Sequence, residues 1–499
     1  MRTIDPEAWY KKVKDTQTKR KIFGSKSATG FETRLRSSFI DAVKDFWENC
    51  SIKCIKYMRE KNMPRPVRRC YIMFVLLLTV SGLVVLESNW RAFRSQPPLL
   101  INLLPMQHPV QYVDFPAVAV CSYSVISKTA LKGYASYLHS LDRNGTYTLE
   151  AIERNLLTFG ALLTWSLPPV DVAFMQYLAR VAHETNVTNI IIKLTPKCSS
   201  FLKRCGWRTV RVPCDRLFAL RATPHGLCCA FNSRYQDEDL YNPVQKLNFV
   251  GDDYGLSLVV KKNDSDVAYI RGPGEGVEIL LFDGSEYPLI EGGSPKIYLT
   301  QRNASAFFKL SVRAQYIAPG LKYFSEQWRG CRIRKPRSRN IDHRSQEWCL
   351  ANCRRSAVQA LCGCVPHLLF PQTGDTICSP DQLACLNKHK EKLMYFYPGD
   401  YADPSLNEES SDSLNCEHCL PDCGRITYSA AVSHADYQFT QKLFLNNFLQ
   451  GASLVNTTVI RIFYASEDQH LFIVESNMRW VELIEGTYDT TMIVIIDFT

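Results

Sequence analysis

The longest apolar stretch of the chain lies near its N-terminus. From Cys70 to Leu86 the sequence reads CYIMFVLLLTVSGLVVL, seventeen residues without a charge, and Glu87 ends the stretch. A helix of this length is at the short end of what crosses a bilayer. A buried core helix is the alternative, but such a helix is seldom apolar on every face. The pattern therefore predicts a transmembrane helix over residues 70–86.

The rest of the chain has the mixed pattern of an α+β domain. Residues 126–142 and 171–184 are predicted to be helices. Short β-rich runs recur, which predicts strands at 115–121, Leu256–Lys261, Val277–Phe282, 455–464 and 471–474. No internal repeat is visible in the sequence, and the acidic, serine-rich run 407–413 is interpreted as a solvated loop. The predicted fold class is an α+β membrane protein.

Charge is concentrated before the apolar stretch. Residues 1–69 hold 18 Lys+Arg against 8 Asp+Glu, which leaves 41 of each in the remaining residues (59 − 18 and 49 − 8). The positive-inside rule then places the N-terminus in the cytoplasm and everything after Leu86 outside. A cleaved signal peptide is not favoured, because about seventy residues precede the apolar run. A nucleic-acid partner is not expected, since that would require a basic face on the folded body.

The cysteines agree with this orientation. Cys50, Cys54 and Cys70 fall on the cytoplasmic side or at the membrane edge. The other sixteen are predicted to be outside, and an even number in an oxidising compartment favours eight disulfides over metal sites. They are Cys121, Cys198, Cys205, Cys214, Cys228, Cys229, Cys331, Cys349, Cys353, Cys362, Cys364, Cys378, Cys385, Cys416, Cys419 and Cys423.

Glycosylation sequons point the same way. Five Asn-x-Ser/Thr acceptors lie on the predicted outer side: Asn144, Asn186, Asn263, Asn303 and Asn456. A sixth match, at Asn49, is predicted to be cytoplasmic and therefore unused. Together the acceptors predict an extracellular glycoprotein domain.

Two cysteine clusters are arranged for mutual bonding. Cys349 and Cys353 are spaced i, i+4, so on a helix they share one face, and Gly363 is expected to end that helix. A second cluster can bridge to that face, and it consists of Cys416, Cys419 and Cys423. Cys362 and Cys364 are too close together for an easy mutual bond and are expected to pair elsewhere; the nearest candidates are Cys378 and Cys385.

Zinc is the competing interpretation of the second cluster, because His418 lies between Cys416 and Cys419. Zinc would require thiolates in a reducing compartment, and the predicted topology argues for disulfides. No cofactor or metal is therefore expected. The sequence also lacks common enzyme motifs: it contains no Walker loop, no His-Glu-x-x-His and no Gly-x-Ser-x-Gly. The prediction is a protein that is not an enzyme.

The ordered motifs resemble those of degenerin/epithelial sodium channel subunits. Residues 115–121 (FPAVAVC), soon after the predicted span, resemble the segment that opens the family's ectodomain. The doubled Cys228-Cys229 is most similar to the insect pickpocket branch. The resemblance runs from about residue 45 to residue 484, with further matches in family order at 198–207, 223–232, 255–258, 349–366 and 416–428.

The resemblance also implies a disulfide connectivity. Six pairs follow from it: Cys198–Cys205, Cys331–Cys423, Cys349–Cys419, Cys353–Cys416, Cys362–Cys385 and Cys364–Cys378. Cys121 would pair with Cys228 or Cys229, and Cys214 with the one left over.

Assembly, transport and gating are implied in the same way. Family members are trimers with a hand-shaped ectodomain, a β-sheet palm and helical thumb and finger elements, over a cation pore that is usually sodium-selective and blocked by amiloride. Trp328 resembles the thumb residue that links ectodomain movement to the gate, although a buried interface aromatic is the alternative. The implied location is the plasma membrane, in a homo- or hetero-trimer with other channel subunits.

Two departures from the family pattern stand out. The family carries a His-Gly pair before its first span, where this sequence has Lys53-Cys54. The family also crosses the membrane a second time with a helix that bears a Gly-x-Ser filter. Here the longest apolar run after residue 484 is the five residues 492–496, and Gly451-Ala-Ser453 is interpreted as a coincidence because charged and polar residues surround it. No selectivity filter is therefore expected. A truncated splice form or an imperfect gene model would account for the missing second span.

The predicted organisation has four segments. They are a basic cytoplasmic N-terminus (1–69), the transmembrane helix (70–86), a cysteine-rich extracellular domain (87–484) and a divergent tail in place of a second span (485–499). The first functional hypothesis is a subunit of an amiloride-sensitive, sodium-selective cation channel. The second is a non-conducting single-pass partner or decoy that assembles with complete subunits. A disulfide-rich ectoenzyme has no nucleophile or metal constellation behind it.

Overall fold

The computed structural model shows a mixed α/β chain that divides into two compact units. It describes residues 38, 40–42, 64–95, 99–104, 108–236, 243–261, 264–272, 277–333, 345–372, 374–397, 403, 405, 411–436 and 448–476. The long helix α1 (Arg65–Ser95) belongs to the first unit. Every other helix and strand named below belongs to the second unit, Gln96–Asn477.

Sixteen strands are described in the second unit. They are β1 (Leu99–Leu103), β2 (His108–Pro109), β3 (Ala117–Ser122), β4 (Ser124–Ser127), β5 (Leu202–Trp207), β6 (Val210–Val212), β7 (Phe218–Thr223), β8 (Gly226–Phe231), β9 (Leu256–Lys261), β10 (Val267–Ile270), β11 (Val277–Phe282), β12 (Lys296–Thr300), β13 (Ala304–Ile317), β14 (Arg425–Asp436), β15 (Thr457–Tyr464) and β16 (Asp468–Ser476).

Helices of the second unit cluster in two stretches of the sequence. They are α2 (Lys128–Leu141), α3 (Leu149–Leu157), α4 (Ala161–Thr164), α5 (Ala173–Val181), α6 (Val187–Leu194), α7 (Cys198–Phe201), α8 (Cys214–Leu217), α9 (Glu326–Arg329), α10 (Gln346–Cys362), α11 (Leu383–Lys388) and α12 (Lys390–Met394).

The largest sheet is organised around the long strand β13. One edge of β13 pairs with β14 along almost its whole length, from Ala304 to Gln315. The other edge pairs in parallel first with β15 and then with β16. The sheet continues in the order β1-β16-β13-β15-β9-β5-β6, and β2 adds to β16. Alternate residues of β13 are buried, as the two-residue period of a strand requires.

A five-stranded antiparallel sheet in the order β12-β11-β3-β8-β7 packs against the largest sheet. One hydrophobic cluster contains Val120, Ile279, Phe308 and Ile460, from strands of both sheets. The opposite face of the five-stranded sheet packs on helix α10. Because β3 and β11 are covered on both faces, their sequences are mostly apolar instead of alternating, with Glu278 as the charged exception in β11.

Helices α2, α3, α5 and α6 enclose a second hydrophobic cluster with part of α10 and α11. Ser127 caps α2, and its hydroxyl accepts a hydrogen bond from the backbone N–H of Ala130. The two-stranded ribbon β4–β10 packs into the same cluster.

The predicted fold class is confirmed. Strands β9 and β11 have the predicted bounds, and α2, α5, β3, β15 and β16 overlap the predicted segments with shifted ends. The helix that carries Cys349 and Cys353 is α10, and Gly363 ends it with φ of 68°. Strands β13 and β14 and helices α3 and α6 had not been predicted.

Candidate functional site

Helix α1 is the candidate membrane anchor. Residues Arg65–Ser88 form a helical segment of 24 residues, and within its most apolar window no residue is buried inside the structure. In the part of the chain that the structure describes, this is the one helix long and apolar enough to cross a bilayer. It is longer than the predicted span, because the helix includes three arginines at its start and continues to Ser95. Exposed apolar side chains on all faces are typical of a lipid-facing helix.

The second unit is braced by eight disulfides. On α10, Cys349 bonds to Cys419 and Cys353 to Cys416, with Cα atoms 5.6 and 6.3 Å apart. Both bonds leave the same helical face, so they hold the segment around Cys416 along the helix. Three further pairs also match those implied by the resemblance: Cys331–Cys423, Cys362–Cys385 and Cys364–Cys378.

The expected pairing of Cys198 was wrong. Cys198 bonds to Cys229, and Cys205 bonds to Cys214. The expected Cys198–Cys205 pair is therefore absent, and Cys214 does not pair with either of the vicinal cysteines, Cys228 and Cys229. The reason is the β5–β6 hairpin: its register places Cys205 opposite Val212, two residues before Cys214.

The vicinal cysteines therefore staple two different segments to strand β8. Cys229 bonds to Cys198 at the start of the short helix α7. Cys228 bonds to Cys121 of strand β3, one of the two pairings left open by the resemblance.

The disulfides also bear on zinc as the alternative. Cys349, His418 and Cys419 lie close enough together to surround an ion. Cys349 and Cys419 are bonded to each other, however, and Cys416 is bonded to Cys353. Zinc requires thiolate sulfur, which a disulfide does not supply. The donor set therefore does not fit a zinc site.

A buried carboxylate cluster lies elsewhere in the second unit. Glu286, Glu347 and Asp422 each place a carboxylate oxygen within 4.8 Å of the other two. The Ser294 hydroxyl donates to Glu286 at 2.9 Å. No sequence signal pointed to this cluster, because its members come from three distant segments that the disulfide-bonded region brings together.

The loop that contains Trp328 is tightly organised. Ser325 caps α9 and accepts a hydrogen bond from the Trp328 backbone N–H at 3.3 Å. The rings of Phe324 and Trp328 stack with centroids 4.2 Å apart. Buried Arg329 donates to the carbonyl of Leu321 at 3.2 Å. Trp328 is thus a half-buried side chain on a rigid turn, and its role in gating stays a prediction.

Two tyrosine hydroxyls hold the residue just before the FPAVAVC motif (115–121). The hydroxyls of Tyr428 and Tyr464 donate to the Asp114 carbonyl at 2.7 and 3.2 Å. The Asp114 carboxylate pairs with Arg234 at 2.8 Å. Burial, followed by the nearby Asp114, raises the pKa of Tyr464, so its hydroxyl remains a donor over the physiological range. These contacts tie strands β14 and β15 to the residue just before Phe115.

An ionic cluster connects three segments near the start of β11. Glu278 Oε2 lies 2.6 Å from Nδ1 of His225 and also accepts from the Arg271 guanidinium. Burial would raise the pKa of Glu278, but the hydrogen bonds from His225 and Arg271 outweigh it and lower this pKa to about 2. The guanidinium of Arg271 lies over the ring of Tyr123, 5.2 Å from its centre. No sequence motif indicated this cluster, because the pairing of distant strands assembles it.

Four of the five predicted glycan acceptors are described, and all four are exposed. Asn144 lies in the turn after α2, where the Asp142 carboxylate accepts from the backbone N–H groups of Asn144 and Thr146. Asn186 caps α6 with its side-chain oxygen. Asn303 and Asn456 have positive φ angles of 51° and 56° at turns before β13 and β15.

Several predicted features lie outside the described residues. They are Asn263, the cysteines at positions 50 and 54, the Lys53-Cys54 departure, most of the predicted loop 407–413 and the segment 485–499. The predictions made for them stay predictions.

Comparisons with known proteins identify relatives along most of the chain. A family model described as amiloride-sensitive sodium channel matches residues 46–486. Sodium channel protein Nach of Drosophila ananassae is 24% identical over 346 residues, which cover 68% of this chain and 65% of that protein. Nach of Drosophila melanogaster is 23% identical over 362 residues, with 68% and 66% covered. Pickpocket protein 11 of Drosophila melanogaster is 25% identical over 294 residues, with 58% and 49% covered. The chain thus spans about two thirds of the length of the Nach relatives it matches.

Proposed function

The chain belongs to the amiloride-sensitive sodium channel family, and we propose that it is a subunit of a sodium-selective, amiloride-sensitive cation channel in the plasma membrane. The observation that carries the proposal is the family match over residues 46–486, which includes both α1 and the whole disulfide-braced unit. Relatives named as a sodium channel protein and as a pickpocket protein support the same class.

Helix α1 supports membrane insertion, and its flanks support the orientation. The segment before it is basic, which favours a cytoplasmic N-terminus. Eight disulfides are typical of a domain that matures in an oxidising compartment, which favours an extracellular location for the second unit. We therefore propose that α1 anchors the subunit with the cysteine-rich unit outside the cell.

Assembly is proposed to be trimeric, with either identical or different subunits, as the family resemblance implies. Sodium ions would pass along the axis of such a trimer. Within each subunit, the Trp328 turn is the proposed coupling element, because the Ser325 cap and the Phe324 stack hold the indole on a rigid turn.

Expression in Xenopus oocytes tests the channel proposal. The chain is expressed alone and together with a full-length pickpocket-type subunit, and sodium current is recorded with and without amiloride. A new amiloride-sensitive current, or a changed sodium selectivity or amiloride affinity of the co-expressed channel, supports a conducting subunit. For the proposed coupling role of Trp328, the variant is Trp328→Ala and the matched control is Tyr323→Ala, which removes an exposed side chain from the same turn and leaves the Phe324–Trp328 stack in place.

The same experiment distinguishes the non-conducting partner. If the chain co-precipitates with the second subunit and lowers its current without altering selectivity, it acts as a decoy. If current is unchanged and nothing co-precipitates, while surface labelling shows that the chain reaches the membrane, the channel-subunit proposal is wrong.

A further inference from the structure

Asn186 differs from the other described glycan acceptors because it begins a helix. Its side-chain oxygen Oδ1 accepts hydrogen bonds from the backbone N–H groups of Thr188 and Asn189 at 2.9 and 3.3 Å. The first turn of an α-helix leaves these donors without a partner inside the helix. Asn186 is therefore the N-cap of α6, and its amide oxygen is held against the helix backbone.

The start of α6 is fixed on the surface of the second unit. Glu184 Oε1 accepts from the Asn186 backbone N–H at 3.3 Å, and Glu184 Oε2 lies 2.7 Å from Nζ of Lys193 in the last turn of the helix. On the other face of α6, Val187 and Ile191 are buried in the second hydrophobic cluster. The position of the Asn186 side chain is therefore fixed together with the helix.

The acceptor nitrogen of Asn186 faces away from the helix backbone. Only the oxygen of a carboxamide accepts hydrogen bonds, so the two backbone N–H groups determine how the planar amide is oriented. Nδ2 is the other branch of that plane, and Asn186 is an exposed residue. Attachment of a sugar to Nδ2 produces a secondary amide, whose carbonyl oxygen accepts hydrogen bonds as a peptide oxygen does. The cap and a glycan are therefore compatible on the same side chain.

We propose that Asn186 carries an N-linked glycan while its amide oxygen caps α6, so that one modified side chain holds the start of the helix and fixes where the sugar leaves the surface. The inference rests on the proposed extracellular location of the second unit. Transfer forms a bond between Nδ2 and C1 of the first sugar, breaks the bond from that carbon to the pyrophosphate of a lipid-linked oligosaccharide, and releases one amide proton. The Thr188 hydroxyl of the acceptor motif is buried in the folded structure, so the transfer takes place before α6 forms.

Glycopeptide mass spectrometry and hydrogen exchange test both roles in the full-length chain, expressed in cultured human cells and purified in detergent. The peptide that contains Asn186 is expected to carry a glycan. PNGase F then hydrolyses the modified amide: water adds to Cγ, the glycosylamine leaves, and the side chain becomes an aspartate. Because a carboxylate oxygen also caps a helix, exchange protection of peptides covering 187–194 should stay within about twofold. Peptides from the central strand β13 are the internal reference.

Three variants separate the cap from the sugar. Thr188→Val removes the acceptor hydroxyl and keeps the shape of the side chain, so the glycan should be lost and the protection of α6 retained. Asn186→Ala removes both the glycan and the cap, and the protection of α6 should fall about fivefold, the factor that corresponds to about 1 kcal/mol. Asn144→Gln is the matched control, because it removes a different predicted glycan and should leave the Asn186 glycan and the protection of α6 unchanged.

An Asn186 that carries no sugar contradicts the proposal. If the other acceptors carry glycans in that case, the proposed orientation of the second unit still stands; if none does, the orientation is wrong as well. Equal protection of α6 in Asn186→Ala and in the unmodified chain contradicts the cap.

A fivefold loss of protection after PNGase F, or in Thr188→Val, also contradicts the proposal, since the sugar and not the amide oxygen would then hold the helix. The comparison before and after PNGase F uses the unmodified sequence, so it does not depend on how any variant folds. No step requires an ion current, so the outcome is independent of the proposed channel activity.

Discussion

The two disulfides on helix α10 are expected to stabilise the protein cooperatively. Cys353–Cys416 is nested inside Cys349–Cys419, and both lie inside Cys331–Cys423. While one of the α10 bonds remains, removing the other frees only a short segment. Removing both frees a much longer segment, because the next constraint is Cys331–Cys423.

The sequence separations give the size of this effect. The two α10 bonds enclose 7 residues between them (70 − 63), and such a loop is worth about 2.3 kcal/mol of chain entropy. When only one α10 bond remains, it closes a loop with Cys331–Cys423 of 22 residues if that bond is Cys349–Cys419 (92 − 70) and of 29 residues if it is Cys353–Cys416 (92 − 63). Losing this last bond therefore costs about 3.5 kcal/mol of chain entropy. Removing both should therefore cost about 1 kcal/mol more than the sum of the single removals.

Urea titration of the full-length chain in detergent provides the assay. Each bond is removed by replacing both cysteines with alanine, and the free energy of unfolding is followed through tryptophan fluorescence, with Trp348 adjacent to Cys349. Loss of packing around each cysteine occurs in both the single and the combined variants, so it cancels in the comparison.

A pair outside the nested set is the matched control. Cys205–Cys214 closes a loop with a sequence separation of 9, and its removal should add to the loss of Cys353–Cys416 within about 0.5 kcal/mol. If the α10 bonds are equally additive, the entropic reasoning is refuted. If the control pair is also non-additive, the reduced chain retains structure that the calculation ignores.

Three further predictions concern single sites. Burial lowers the pKa of His367 to about 4, so the folded state favours the neutral imidazole. The free energy of unfolding should therefore be highest above about pH 6.5 and fall by about 3 kcal/mol toward pH 4. His367→Gln should reduce this dependence of the unfolding free energy on pH, as measured by urea titrations at each pH. Tyr428→Phe should cost about 1 kcal/mol in the same assay, because the hydrogen bond to the Asp114 carbonyl is lost. PNGase F should increase the gel mobility of the expressed chain, and Asn144→Gln and Thr146→Ala should each remove the same part of that shift; no change in either variant would show that Asn144 carries no glycan.

Some parts of the fold could be predicted from the sequence because their burial leaves a simple pattern. Strands β9 and β11 are buried along almost their whole length, so each is a mostly apolar run with clear ends, interrupted by Ser257 in β9 and by Glu278 in β11. Helix α10 was indicated by the spacing of its cysteines and by Gly363, which takes the left-handed conformation that ends the helix. Strand β13 was missed because Lys309, Ser311 and Arg313 occupy exposed positions between its buried residues, so the strand contains no long apolar run.

The long-range contacts could not be predicted in this way. The vicinal pair Cys228-Cys229 has two partners in distant segments, and sequence spacing does not determine which cysteine takes which partner. The ionic cluster of His225, Arg271 and Glu278 was likewise hidden, since Glu278 reads as one polar position in an otherwise apolar strand. Motif order identified the family, whereas local topology determined which cysteines and charged side chains meet.

The pairing of β1 with β16 has a mechanical consequence. Leu99, at the beginning of β1, lies opposite Ser476, at the end of β16, so the second unit begins and finishes on neighbouring strands. A force that separates these two residues breaks the hydrogen bonds between β1 and β16 one after another, starting from the Leu99–Ser476 end. Strand β1 would therefore peel away at low force, while β16 remains held by its parallel pairing with β13.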